Sequence, residues 1–211
     1  MSGLIDPLLI VVLALNLFAL GNSRIQSTIR IVAAQGIVLG VTTLLMHESL
    51  SLPVILSAAA AIAIKGLLIP AIMIRSLREA GIKREVEPLI GFLPSIVIGA
   101  VASGAVLLAS RALGAKGAAA LVIPASISTV LVGFLILISR YKAISQVLGY
   151  LVLENGIYIF GMLLVEAVPL VVEMGMLLDL FVGVFVISII TNHINQAFSS
   201  TDTRRLVALK E

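Results

Sequence analysis

The sequence contains no cysteine and no tryptophan, and it has only two histidines among 211 residues. Without cysteine, the chain cannot build a disulfide framework, a thiolate metal site or the ligand set of an iron–sulfur cluster. Two histidines leave little with which to hold a haem or a metal ion. We therefore expect no cofactor and no metal bound by this chain.

Charged residues are also scarce. They make up 12% of the chain, against about 25% in a typical soluble domain, whereas 60% of the residues are hydrophobic and the mean hydropathy is +1.20. This composition predicts an integral membrane protein of the all-α class, a polytopic helix bundle. In such a protein, the positions of basic residues mostly reflect the orientation of the spans in the membrane. The net charge of +3 therefore does not indicate a nucleic-acid partner.

Seven apolar segments are long enough to cross a bilayer, which takes roughly 20 residues of helix. No Lys or Arg precedes Arg24, so the first segment lacks the basic start of a signal peptide and is expected to be kept as a span. The predicted spans are Leu4–Leu20, Ile25–Met46, Leu52–Ile74, Leu89–Ser110, Ala118–Ser139, Ile144–Val165 and Leu170–Ile190.

The basic residues predict the orientation of these spans. Eleven Lys and Arg side chains lie in or beside the odd-numbered loops and the C-terminal tail, whereas the even-numbered loops hold only Arg111 and Lys116. Because basic loops stay in the cytoplasm, we predict an N-terminus outside, a cytoplasmic C-terminus and a multi-pass location in a prokaryotic cell membrane.

Three ionisable residues fall inside the predicted spans: Lys65, Glu154 and Asp179. With a helical rise of 1.5 Å per residue, Glu154 and Asp179 lie ~15 and ~13 Å into their spans, and Lys65 lies ~20 Å into its own. All three depths are close to the middle of a ~30 Å hydrocarbon core. The three side chains can therefore form one lateral polar layer.

Proton handling is the chemistry that fits such a layer. A low dielectric disfavours the charged forms of both carboxyl and ammonium groups, so either can exchange protons with a neighbour or with water. The alternative is a static buried pair of Lys65 with Glu154 or Asp179 that only fixes helix packing. Glu173, on the outer side of the last span, is a candidate entry group or an interfacial charge.

Helical geometry suggests the neighbours of Glu154. Tyr150 and Tyr158, at i−4 and i+4, share its face, whereas Asn155 points about 100° away. Tyr158 is therefore a candidate to hydrogen-bond a shuttling proton, or else a packing aromatic. Close to Lys65, Pro70 is expected to loosen the backbone near Gly66 and bend the helix.

Small residues recur at a spacing of four inside the spans, as Gly36 with Gly40 and as Gly99 with Ser103. Such pairs let helices approach closely in lipid. They predict either a docking face for another subunit or close packing within this chain's own bundle.

Three stretches carry a resemblance to a known family: AIKGLLIPAIM (63–73), VLGYLVLENGIYI (147–159) and VEMGMLLDLFVGVFVI (172–187). They resemble the hydrogenase-4 component E family, which supplies a small membrane subunit to formate hydrogenlyase and related membrane-bound nickel–iron hydrogenases. The resemblance implies a non-catalytic subunit of an oxidoreductase complex. Its implied partners are antiporter-like and other membrane subunits, the lipid bilayer and a soluble hydrogenase arm.

The last three spans also resemble the K subunit of respiratory complex I. That subunit carries a Glu in its second helix, matched here by Glu154, and another Glu in its third, where this chain has the shorter Asp179. The resemblance implies a division into an N-terminal region (1–139), K-like helices (140–191) and a polar cytoplasmic tail (192–211). It also implies a place in a chain of buried charges that carries protons or ions laterally.

Three other functions remain open at this point. The chain could belong to a cation/proton antiporter assembly, although its extra helices argue against that. It could also be a stand-alone secondary transporter that uses Lys65, Glu154 and Asp179 for coupling, or a structural spacer.

Overall fold

A computed structural model describes residues 4–46, 52–79, 88–114 and 119–163, and nearly all of them are helical. Long apolar runs form helices because every backbone N–H and C=O is then satisfied without water. The elements are α1 (Ile5–Gly21), α2 (Ile25–Met46), α3 (Leu52–Ala61), a π segment (Ile62–Leu68), α4 (Ile69–Glu79), α5 (Phe92–Ala112), α6 (Ala119–Ser139) and α7 (Ala143–Gly161).

The all-α membrane fold is confirmed. Among the described residues, five helical runs are long and apolar enough to cross a bilayer, and α1 adds a shorter apolar helix of 17 residues. The predicted span Leu170–Ile190, with Glu173 and Asp179, lies outside the described residues, so the number seven stays a prediction. The five long runs are Ile25–Met46, Val54–Arg78, Phe92–Ala112, Ala120–Ser139 and Ala143–Gly161.

The third span is continuous but changes its helical type at mid-length. A π segment of seven residues, Ile62–Leu68, joins α3 to α4. Pro70 follows it and has no N–H to donate to the carbonyl of Gly66, which opens the α-helical pattern at this point. The predicted loosening near Gly66 thus takes the form of a π segment. The helical run also extends beyond the predicted Ile74, to Glu79.

Helices α6 and α7 pack against each other more extensively than any other pair among the described residues. Glycines make their close approach possible: a Cβ added to Gly156 would lie 2.6 Å from the backbone nitrogen of Val130. The two backbones are near enough for Ser126 Oγ to donate to the carbonyl of Gly156 at 2.9 Å. Close contact between helices is the form that association takes in lipid.

The small-residue pairs of α2 and α5 also serve packing within the chain. A Cβ on Gly36 would lie 2.6 Å from Lys65 Cβ, Gly40 faces Ile62, and Gly99 faces Leu20 of α1. Of the two interpretations left open by the sequence, close packing inside the bundle is confirmed for these three glycines. Most of α5 is otherwise exposed on the bundle surface.

Two apolar clusters occupy opposite ends of the bundle. One includes Ile29, Met73 and Leu148, and the other includes Leu9 and Ile159. Along α1, α2, α6 and α7, the residues between the two clusters are polar and buried: Asn16, Gln35, Thr129, Glu154 and Asn155. The bundle therefore has a polar layer between two apolar ones.

Candidate functional site

An ion pair lies at the centre of this polar layer. Lys65, on the π segment, places its Nζ 3.0 Å from Oε1 of Glu154 on α7. The two side chains are only 7% and 4% exposed. A single buried charge would be costly, so the ammonium and the carboxylate stabilise each other. At this distance the contact is an ion pair between the ammonium and the carboxylate.

Lys65 has two further neighbours on α7. Its Nζ donates to Oδ1 of Asn155 at 3.4 Å and lies 4.8 Å from the centroid of the Tyr158 ring. A cation at that distance from an aromatic face is attracted by the ring quadrupole. Asn155 and Tyr158 thus give the ammonium a polar and an aromatic contact beside the carboxylate.

The two tyrosines expected on the face of Glu154 lie in different surroundings. Tyr158 contacts Lys65, whereas Tyr150 is 38% exposed. Asn155, expected to point away from Glu154, also contacts Lys65. The cause is the width of the buried face of α7, on which Glu154, Asn155 and Gly156 are all buried. A lysine approaching that face from another helix can contact two successive residues, which spacing along α7 alone does not reveal.

Tyr158 is oriented by α2. Its hydroxyl lies 2.8 Å from Thr43 Oγ1, and that hydroxyl in turn donates to the carbonyl of Leu39 at 3.0 Å. The hydrogen bond between the two hydroxyl groups fixes the Tyr158 ring beside the lysine.

The position of Lys65 depends on how closely α2 packs against the π segment. Gly36 is the residue of α2 that faces Lys65, and any side chain there would meet Lys65 Cβ at 2.6 Å. A residue without Cβ lets the π segment lie against α2. The glycine thus fixes the position from which the lysine extends toward α7.

A chain of amide and hydroxyl groups extends from Asn155 away from the ion pair. Asn155 Nδ2 donates to Gln35 Oε1 at 3.4 Å, Gln35 Nε2 donates to Asn16 Oδ1 at 2.7 Å, and Asn16 Nδ2 donates to Thr129 Oγ1 at 2.8 Å. Gln35, Asn16 and Thr129 are fully buried. The amide chain, Asn155–Gln35–Asn16–Thr129, connects α7, α2, α1 and α6.

Charged residues in the spans do not indicate this amide chain, but the depth of its members does. Asn16, Gln35 and Thr129 each lie ten or eleven residues after the start of their helices, ~15–17 Å along the axis, which is the depth predicted for Glu154. Uncharged polar residues inside apolar spans are hydrogen-bonded when buried. Equal depth in three spans would have indicated a shared partner.

A second buried cation lies away from the polar layer. Arg140, placed by the sequence interpretation in a loop, is 4% exposed. Its Nη2 donates to the carbonyl of Leu20, in the last turn of α1, at 2.8 Å, and its Cζ lies 4.4 Å from the Phe92 ring centroid. A cation at the C-terminal end of a helix satisfies an orphan carbonyl and complements the helix dipole.

No metal centre is formed by the part of the chain that the structure describes, because no three His, Asp or Glu side chains converge there. Asp179 and Glu173 lie outside that part, so their distances from Glu154 stay untested. Of the five predicted site residues, the structure brings Lys65, Glu154 and Tyr158 together.

Comparisons with known proteins give one long and several short similarities. The chain is 29% identical over 191 residues to the uncharacterized protein Rv0085 of Mycobacterium tuberculosis, which covers 89% of this chain and 87% of that protein. It is 31% identical over 80 residues to hydrogenase-4 component E of Escherichia coli K12, and equally to that of Shigella flexneri; the match covers 38% of this chain and 37% of those proteins. No family model and no solved structure matches the chain.

The short similarities support a distant link between this chain and a hydrogenase component. The matched part of component E is 37% of that protein's length, so its assembly and activity come to this chain only as a proposal. The likeness to the mycobacterial protein extends over most of both chains but brings no function with it.

Proposed function

We propose that this protein is a non-catalytic membrane subunit of a membrane-bound hydrogenase complex and that Lys65 and Glu154 form one step of a lateral proton path in it. The path would continue through Asp179 of the last predicted span, with Glu173 as an entry group on the outer side. The proposed partners are antiporter-like and other membrane subunits, together with a soluble hydrogenase arm on the cytoplasmic side of a prokaryotic membrane.

The observation that carries the proposal is the buried ion pair in the polar layer. Its charges lie 3.0 Å apart, between two apolar clusters, at a depth where ionisable groups are rare and mostly functional. A pair that only joined helices could be replaced by apolar side chains of similar volume at little cost in stability. Proton transfer needs the titratable groups themselves.

The geometry supports two states of the pair. With Glu154 ionised, the ammonium of Lys65 rests against Oε1. When a proton from a neighbouring group or water neutralises the carboxyl group, the attraction falls, while Asn155 Oδ1 at 3.4 Å and the Tyr158 ring at 4.8 Å remain available to the ammonium. Loss of that proton to the next group restores the pair, so one proton passes per cycle.

The short similarity to hydrogenase-4 component E supports the choice of complex. It agrees with the resemblance of the segments 63–73 and 147–159, which contain Lys65 and Glu154. The resemblance of the last spans to the complex I K subunit supports a lateral direction of transfer, from one membrane subunit to the next.

Purification of the tagged full-length chain from its native membrane, in a mild detergent, tests the assembly. We expect nickel–iron hydrogenase and antiporter-like subunits to co-purify with it in fixed proportions. A chain that elutes alone from membranes that do contain such subunits would contradict the proposed complex.

The path is tested with Glu154→Gln in the assembled complex. We expect proton translocation to fall by ~100-fold or more, the loss typical of a removed proton-transfer group, while hydrogen oxidation with a soluble artificial acceptor is unchanged. Asp6→Asn is the matched control, because it makes the same chemical change at an exposed residue of α1. Full translocation by the Glu154→Gln complex would favour a static pair.

A stand-alone secondary transporter is the second candidate, and the π segment favours it. Short π segments inside α-helices frequently occur at functional sites, and here the π segment carries Lys65. Reconstitution of the purified chain alone into liposomes separates the two functions. Solute uptake driven by a proton gradient, abolished by Glu154→Gln, would support the transporter.

A further inference from the structure

All hydrogen bonds of the amide chain run in the same donor-to-acceptor direction. This direction is set at Thr129, the member farthest from Lys65. Thr129 Oγ1 donates its single proton to the carbonyl of Ala125 at 2.7 Å, so its oxygen can only accept from Asn16. Asn16 must therefore present its NH₂ group to Thr129 and its oxygen to Gln35. The observed bond from Asn16 Nδ2 to Thr129 Oγ1, at 2.8 Å, has this polarity.

A second backbone carbonyl imposes the same direction on Gln35. Its Nε2 donates to Asn16 Oδ1 at 2.7 Å and lies 3.4 Å from the carbonyl of Val12. Both neighbours are acceptors, so the NH₂ group must face them and Oε1 must face Asn155. The backbone carbonyls of Ala125 on α6 and Val12 on α1 therefore both favour the same orientation of the side-chain amides.

The consequence appears at Lys65. Because Gln35 presents an oxygen, Asn155 must direct its NH₂ group toward Gln35 and its Oδ1 toward the ammonium. The opposite orientation of Asn155 would place an N–H dipole against a buried positive charge. Every donor in the chain therefore points away from Lys65, and every side-chain amide oxygen points back toward it.

We infer that Gln35 is a positioning residue of the charge pair, which acts through Asn155 to hold an oxygen acceptor against Lys65 and thereby fixes where the ammonium lies beside Glu154. The amides do not carry the proton, since amide nitrogens exchange it too slowly for transfer. Their role in the path rests on the proposed function, but their effect on the position of Lys65 does not.

The position of Lys65 can be observed without any transport assay. The full-length chain is labelled with ¹⁵N-lysine, reconstituted in lipid, and examined by solid-state NMR, where loss of a signal in Lys65→Met assigns the Lys65 side-chain nitrogen. We expect Gln35→Met to shift or split that signal, because Asn155 then lacks the partner that orients it. The signal at its wild-type position in Gln35→Met would overturn the inference.

Thr42→Val is the matched control. Thr42 lies on the same helix, is fully buried and bonds only to the carbonyl of Val38 among the hydrogen bonds resolved for it. Its replacement should leave the Lys65 signal in place. An equal shift in Thr42→Val would mean that any polar loss on α2 disturbs the site, which contradicts a specific role for Gln35.

Two further variants keep the test decisive. Asn16→Leu removes the next member of the amide chain. It should shift the Lys65 signal in the same direction as Gln35→Met, but by a smaller amount, and it replaces Gln35→Met as the test if that variant does not fold.

The route of the effect is tested in an Asn155→Leu background. There, Gln35→Met should cause no additional shift, because the effect passes through Asn155. An additive shift there would refute that route. Failure of the proton assays with Glu154→Gln leaves these results unaffected, so the two proposals fail separately.

Discussion

Lys65 and Arg140 are both cations with less than a tenth of their surface exposed, yet they are held in different ways. Lys65 lies in the polar layer against a carboxylate at 3.0 Å, whereas Arg140 lies at one end of the bundle against a backbone carbonyl at 2.8 Å and an aromatic ring. The guanidinium of Arg140, which stays protonated in proteins, thus contacts a helix end and a ring face, whereas the ammonium of Lys65 contacts a carboxylate.

This difference distinguishes a structural cation from a candidate transfer group. Arg140, which follows α6, joins that helix to the end of α1 and to the start of α5. Lys65 has an anionic partner, a neutral acceptor and an aromatic face around one nitrogen, at 3.0, 3.4 and 4.8 Å. The following substitutions should separate the two kinds of site.

The largest effect is expected from breaking the ion pair on one side. Lys65→Met leaves the Glu154 carboxylate buried without its cation, and loss of one partner of a buried pair typically costs ~3–5 kcal/mol. The purified variant should unfold at a much lower denaturant concentration. In the double variant Lys65→Met/Glu154→Leu both charges are gone, and most of the stability should return; a double variant as unstable as the single one would show that the pair is not the cause.

A smaller effect is expected from filling the gap between α2 and the π segment. Gly36→Ala places a methyl group 2.6 Å from Lys65 Cβ, and such overpacking costs ~1–3 kcal/mol. Gly104→Ala is the control, since a methyl group at that glycine of α5 meets nothing within 4 Å. Unfolding of both variants in detergent provides the comparison, and equal stabilities would mean that α2 does not limit the position of Lys65.

Arg140→Lys tests the other cation. The charge is kept, but a lysine ammonium cannot both donate to Leu20 and stack its plane on Phe92, as the guanidinium does. We expect a loss of ~1 kcal/mol, the size of a cation–π contact with part of a hydrogen bond, and no effect on proton translocation. Reduced translocation in a stable Arg140→Lys complex would end the distinction between the two cations.

The smallest change is Tyr158→Phe. It keeps the ring beside Lys65 but removes the hydroxyl that lies 2.8 Å from Thr43 Oγ1, and the loss of this hydrogen bond should cost ~0.5–1.5 kcal/mol. Tyr158→Leu removes the ring as well and should shift the Lys65 ¹⁵N signal, whereas Tyr158→Phe should not. Equal shifts in the two variants would assign the effect to the hydroxyl rather than to the ring.

Much of the site could be predicted from the sequence. Lys65 and Glu154 are prominent because a charge inside an apolar span is costly, and the helical rise places both near the same depth. Pro70 likewise predicted the disturbed backbone beside Lys65. Asn155, Gln35 and Asn16 were missed because an uncharged amide in a span has a lower cost and many satisfactory partners.

The sequence by itself determined that this is a membrane helix bundle, where most of its spans begin and end, and which buried charges need partners. Only the tertiary structure decided that Lys65 pairs with Glu154, that Asn155 rather than Tyr150 joins them, and that Arg140 is buried. The physical reason is that hydrophobicity and helical rise fix depth along each helix, whereas the partner of a side chain depends on the rotation and spacing of neighbouring helices. Contacts such as that of Gly36 with Lys65 set that rotation and spacing, and they join residues far apart in the chain.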